Sequence, residues 1–222
     1  MRFAGKALCA ATVAWLCAVA SPAALAAGPA PKAASSADFA GESASADARH
    51  AAQWVVASRD NKGLPFAIVD KKGAKLFVFA ANGSVIGAAP ALLGLARGDH
   101  SVPGIGQRDP SQILPHERTT PAGRFVSAPG RNLNGEDLVW VDYDAGIAIH
   151  RVRPGDAHER RQQRLASATP NDNRVSLGCV VVTVAFYEAV VKPTLGTQRG
   201  VVYVLPETRP VQEMFGASAA DM

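Results

Sequence analysis

The sequence predicts a mainly β domain with a few short helices, and three observations carry that expectation. Apolar residues, rich in Val, Ile and Phe, recur in short runs of strand length. Turn signals separate the runs, with Lys71-Lys72-Gly73 and Asn82-Gly83 the strongest. Only two stretches read as helix, and both are short.

Taken in order, PFAIVD (65–70) and AKLFVFA (74–80) are the first two strands, joined by the turn at 71–73. SVIGAAPALLG (84–94) follows the Asn82-Gly83 turn. A polar loop runs from Gly98 to about Arg118, and loops of that length are usually functional or disordered. GRFVSAPG, DLVWVDYD and GIAIHRV read as three further strands, VSLGCVVV as another apolar run, and VVYVLPE as the last strand. One helix is expected within 155–167 and another within 184–191, the second with Thr183 as its N-cap.

Residues 1–26 have the form of a Sec-type signal peptide. Arg2 and Lys6 precede an apolar run, and Ala24-Leu25-Ala26 supplies the small residues of a cleavage site. Residues 27–62 are rich in Ala, Ser, Gly and Pro, with no apolar period, and read as a flexible spacer. The folded domain is expected over 63–206, with a frayed tail over 207–222. Removing 1–26 leaves 21 basic against 19 acidic residues, a net charge of +2. No basic run is interleaved with aromatics, which argues against nucleic acid. No apolar stretch after the signal peptide is long enough to span a membrane. The oligomeric state is not readable from the sequence.

Of the three cysteines, Cys9 and Cys17 fall in the signal peptide, so processing leaves Cys179 alone. A single thiol in an exported protein is reactive, paired between chains, or buried. His150 ends the apolar stretch AIHRV, where a histidine is most often a satisfied core residue. TTPAGRF (119–125), taken by itself, is a hairpin turn with Pro121 second and Gly123 fourth. A metal site fits poorly, because His100, His116, His150 and His158 lack ligand spacing with Cys179; no cofactor is expected.

TPAGRF, AIHRV and SLGC, in that order, resemble the L,D-transpeptidase catalytic domain (YkuD-like) family, which carries a TPxGxF turn, an I-H-G strand end and an S-H-G-C block. The opening strand pair FAIVDKKGAKLFVFAANG is similar too, so the resemblance spans about residues 64–205. It implies a β-sandwich-like fold and a periplasmic enzyme that acts on peptidoglycan stem peptides through a cysteine thioester. By matched position Cys179 is the nucleophile and His150 the proton donor and acceptor, with the backbone carbonyl of Arg151 orienting the ring. The chain departs from the family pattern at Leu177, Val181 and Arg151, in place of a histidine, a polar residue and a glycine. An alternative on the same fold is a weak or inactive protein that binds peptidoglycan without turning it over.

Elementary chemistry agrees with the acyl-transfer reading. A thiol with a pKa near 8.5 is mostly protonated at neutral pH and needs an imidazole to become a nucleophile. The amides of Leu177, Gly178 and Cys179 are candidate donors to a tetrahedral oxyanion. Between His150 and Cys179 the chain carries six arginines against three acids. Arginine grips carboxylates bidentately, so Arg160, Arg161 and Arg174 are candidate substrate-binding residues, with a solvated helix face as the plainer reading.

Overall fold

The structure is a computed structural model that describes residues 36–154 and 157–216. The expected signal peptide lies outside the described residues. In chain order the elements are α1 (Ala46–Ser58), β1 (Phe66–Asp70), β2 (Lys75–Phe79), β3 (Val85–Pro90), β4 (Leu93–Gly94), β5 (Gly123–Arg131), β6 (Asp137–Asp142) and β7 (Ile147–Arg151). Then come α2 (Arg161–Leu165), β8 (Arg174–Ser176), β9 (Val180–Val182), α3 (Val184–Phe186), α4 (Lys192–Leu195), β10 (Gly200–Val204) and α5 (Gln212–Phe215).

Eight strands form one sheet in the order β3-β2-β1-β10-β5-β6-β7-β9, and β4 pairs with β8. Three pairings are parallel: β1 with β10, β7 with β9, and β4 with β8. The last strand returns to the first. The Leu92 amide donates to the Val181 carbonyl at 2.7 Å and the Val181 amide to the Leu92 carbonyl at 2.9 Å, just beyond β3. The sheet is therefore nearly closed. β5 makes the bend: its first half pairs with β10 and its second half with β6.

Inside this roll, Ala67, Val69, Leu76, Val78, Val139, Ile149, Val180 and Val202 pack on Tyr187, Val191 and Leu195. The last three belong to a continuous helical stretch, α3 passing through a π turn (Tyr187–Val191) into α4. Thr183 caps it, accepting from the Phe186 amide at 3.2 Å. A second core lies on the other face of β1, β2 and β10. There Phe66, Ile68, Phe77, Phe79 and Tyr203 meet α1, Phe39, Val211 and Phe215. Strands buried on both faces read as continuous apolar runs, which is the pattern of β1 and β10.

Three expectations need correction. Residues 27–62 are not a spacer throughout, because 46–58 form α1. Its buried stripe is Ala48, Ala51, Ala52 and Val55, so the period is correct but alanine makes its amphipathic signal faint. The tail 207–222 is not frayed from its start: α5 and Phe215 close the second core, and Glu207 is buried against Arg174. TTPAGRF is not a hairpin. Thr119–Ala122 lead from the 98–118 loop into β5, and the Ala122 amide donates to the Asp99 carbonyl at 3.0 Å.

Candidate active site

Parallel pairing of β7 with β9 sets Ile149 opposite Val180 and His150 opposite Val181. Ile149 and Val180 point into the inner core. Side chains alternate along a strand, so His150, and Cys179 just before β9, both project from the opposite face. That outer face is covered by Val152, Val181, Leu92 and Leu165, with Leu165 coming from α2 in the crossover between the two strands. The 29-position gap between His150 and Cys179 is thus the length of a parallel crossover.

His150 is 8% exposed, and its Nδ1 lies 2.8 Å from the carbonyl oxygen of Arg151. A carbonyl only accepts, so Nδ1 carries the hydrogen and Nε2 keeps its lone pair. Burial pushes the imidazole down to about 4, against the opposing pull of the Arg151 carbonyl; Arg153 and Arg161 push the same way as burial. Burial pushes the Cys179 thiol up, opposed by a backbone hydrogen bond from Ala148 and by the same Arg153 and Arg161. Two guanidinium groups acting on both residues place them in one electrostatic environment. Both are uncharged at neutral pH. The Cys179 thiol donates to the Gly146 carbonyl at 3.6 Å.

Cys179 is partly exposed and opens on a pocket of about 140 Å³. Ile105, Ile113, Ile147 and Leu177 form apolar walls, and Arg108 and Ser101 are polar contributors. Ile105 and Ile113 come from the 98–118 loop, which folds as three short 3₁₀ turns. A larger cavity, about 340 Å³, is lined by Arg153, Arg160, Arg161 and Gln163 in the crossover. The thiol lines the smaller one, and the larger is a basic groove in the crossover.

The SLGC turn is held from both sides by hydroxyls. Ser176 Oγ accepts from the Gly178 amide at 3.1 Å and donates to the Cys179 carbonyl at 2.7 Å. Thr120 is fully buried, and its Oγ1 donates to the Gly178 carbonyl at 2.8 Å. Gly178 has φ +139, and a Cβ there would sit 2.6 Å from the Thr119 carbonyl oxygen and 2.6 Å from Ile147, so only glycine fits. With the Gly178 amide taken by Ser176, the oxyanion candidates reduce to Leu177 and Cys179.

The arginines separate. Arg160 is exposed and Arg161 partly so, and both line the basic groove, where Arg161 pairs with Glu159 at 2.5 Å. Arg174 is buried. Its guanidinium donates to Glu207 at 2.5 Å and to the Lys71 carbonyl at 2.9 Å, so its task is internal and it does not face a substrate. Sequence reasoning missed Thr120, Ser176 and the buried group Lys71, Asp99 and Glu207. The one available signal was the doubled threonine before Pro121, which reads as turn chemistry. Among the described residues no group of three His, Cys, Asp or Glu side chains could hold a metal, and no helix is long and apolar enough to cross a membrane.

No protein-family model and no curated protein matches the chain. Among solved structures it is similar to an L,D-transpeptidase from Xylanimonas cellulosilytica, at 17% identity and a TM-score of 0.38, over 64% of this chain and 60% of that one. The Ldtfm–avibactam carbamoyl enzyme is similar at 14% identity and a TM-score of 0.38, over 64% of this chain and 49% of that one. The chain therefore spans about half to three fifths of the length of these two proteins. The catalytic domain of the E. faecium L,D-transpeptidase, solved by NMR, is similar at 16% identity and a TM-score of 0.32, over 64% of this chain and 98% of that one.

Proposed function

We propose that the protein is a periplasmic cysteine acyltransferase of the L,D-transpeptidase type, acting on peptidoglycan stem peptides. The observations that support this best are a thiol that lines a pocket and, on the neighbouring strand, a buried imidazole whose Nδ1 is hydrogen-bonded to a carbonyl, leaving the Nε2 lone pair free to accept a proton. His150 takes the thiol proton as Cys179 Sγ bonds to the substrate carbonyl carbon. The tetrahedral oxyanion is received by the amides of Leu177 and Cys179. It collapses with cleavage of the C–N bond, and the imidazolium returns the proton to the departing amine. An acceptor amine then attacks the thioester, gives its proton to His150, and Cys179 leaves as the thiol.

Incubation with a tetrapeptide stem or with meropenem is expected to add one acyl mass to the intact protein at Cys179. Cys179→Ala is expected to add none. A wild-type protein that never acylates, yet still binds sacculi, favours the noncatalytic binding role. In the larger groove, Arg160 and Arg161 are proposed to attract a substrate carboxylate. Replacing both with glutamate is expected to raise KM for the stem peptide about tenfold with kcat little changed, since a charge-assisted hydrogen bond contributes about 1.5–3 kcal/mol. An unchanged KM assigns these arginines to a solvated surface.

A further inference from the structure

We infer that Thr120 is a positioning residue, and that what it positions is the oxyanion-binding amide of Cys179. The inference rests on the acyl-transfer reading above and adds a component to it. The geometry begins with the hydroxyl. Thr120 Oγ1 accepts from the Gly94 amide at 2.9 Å and lies 2.8 Å from the Gly178 carbonyl. A hydroxyl has one hydrogen. The Gly94 amide brings its own, and a carbonyl cannot donate, so the hydroxyl hydrogen goes to Gly178. The side chain has no remaining freedom to turn.

The Gly178 carbonyl and the Cys179 N–H belong to one planar trans peptide and point in opposite directions. Fixing the carbonyl on Thr120 fixes the amide on the far side of that plane. Thr120 is fully buried, whereas Cys179 borders the pocket, so the amide is aimed away from the interior. The neighbouring peptide groups are held separately by Ser176, through the Gly178 amide and the Cys179 carbonyl. Gly178 itself, at φ +139, has no side chain to resist rotation of this plane. Without Thr120 the plane loses its only hydrogen-bonded anchor among the described residues. Thr120 is placed in turn by Lys71, whose Nζ donates to its carbonyl at 3.0 Å.

An oxyanion donor matters when a carbonyl is attacked. It has no part in alkylation, where sulfur displaces iodide from a saturated carbon and no oxyanion forms. The two reactions of Cys179 therefore separate this role from a general structural one. In Thr120→Val, acylation by meropenem, followed by intact mass, is expected to slow about 10- to 100-fold. Alkylation by iodoacetamide at the same pH is expected to stay within about twofold. Thr120→Ser keeps the hydroxyl and is expected to acylate within about threefold of wild type.

Equal loss in both reactions of T120V overturns the inference, as does an unchanged acylation rate. If T120V does not fold, T120S decides, and a tenfold or greater loss there overturns it. A wild-type protein that alkylates but is acylated by neither meropenem nor stem peptide removes the transferase reading and this inference together. Failure of the inference alone shows as a competent wild type whose T120V variant matches it.

Discussion

Replacing His150 with alanine is expected to slow acylation of Cys179 by about 10²–10⁴-fold, the range for loss of a positioned general base. The starting state makes the effect large. Burial holds the imidazole near 4 and pushes the thiol up, so at neutral pH both groups are neutral. Only a small thiolate fraction is available to react unaided. The proton must move as the S–C bond forms, and Nε2 is the atom that receives it. Wild-type acylation should therefore follow an acid limb with its midpoint near pH 4 and continue at full rate through neutrality. His150→Ala should instead gain about tenfold per pH unit into the alkaline range, as only the small thiolate fraction reacts. A wild-type acid limb near the ordinary histidine value of 6.5 refutes the buried, neutral imidazole. The same burial acts on stability. The folded pKa lies below the unfolded one, so between about 6.5 and 4 the unfolded state binds more protons and stability falls as pH falls. His150→Ala removes that dependence, worth about 3 kcal/mol between pH 7 and pH 4.

How much of this was legible in the residues varies by element. β1, β2, β6 and β7 were readable because Val, Ile and Phe are dense in them and the turns at 71–73 and 82–83 bound them. The helical stretch from Val184 was readable from Thr183. α1 was not, since its buried stripe is mostly alanine, which also fits a spacer. Nor could the sequence show that β1 and β10 are covered on their second face by α1 and α5, elements far apart in the chain. At the site, Cys179 and His150 stood out by residue type. Their shared face depends on the parallel register of β7 with β9, a pairing across a long crossover that no local pattern encodes. Thr120 and Arg174 were misread for one reason. Threonine before proline and arginine in a basic stretch look like turn and surface residues, and burial alone reveals their hydrogen-bonding duties.

Lys71→Met is expected to lower the melting temperature by about 10–15 °C, since breaking a buried ion pair costs about 3–5 kcal/mol and each kcal/mol shifts a domain of this size by about 2–4 °C. Lys71 reads in the sequence as half of a solvated Lys-Lys turn, yet its side chain is fully buried. Its Nζ donates to Asp99 at 2.8 Å and to the carbonyls of Gly98 and Thr120 at 2.6 and 3.0 Å, with Glu207 at 3.6 Å. Burial alone would raise the Asp99 carboxyl, but hydrogen bonds from Lys71, Thr208 and the amides of Glu207 and Thr208 hold it far below the usual carboxylate range. Removing the ammonium leaves Asp99 and Glu207 to Arg174 and the remaining hydrogen bonds. The sign with pH follows. A carboxylate whose folded pKa is depressed stabilises the fold above its unfolded value near 4, and that contribution is lost progressively from there down through its far lower folded value. The difference between wild type and K71M should therefore be widest at pH 7 and narrow only well below pH 4. Thermal melts at pH 7 and about pH 2 check this, and a K71M protein within about 3 °C of wild type at pH 7 refutes it. The same lysine spans the 98–118 loop and the threonine behind SLGC, so K71M should also acylate more slowly at temperatures where it remains folded. Iodoacetamide should still label its Cys179 at the wild-type rate there, because His150 belongs to β7, Cys179 immediately precedes β9, and the hydrogen bonds of the Lys71 ammonium reach neither strand.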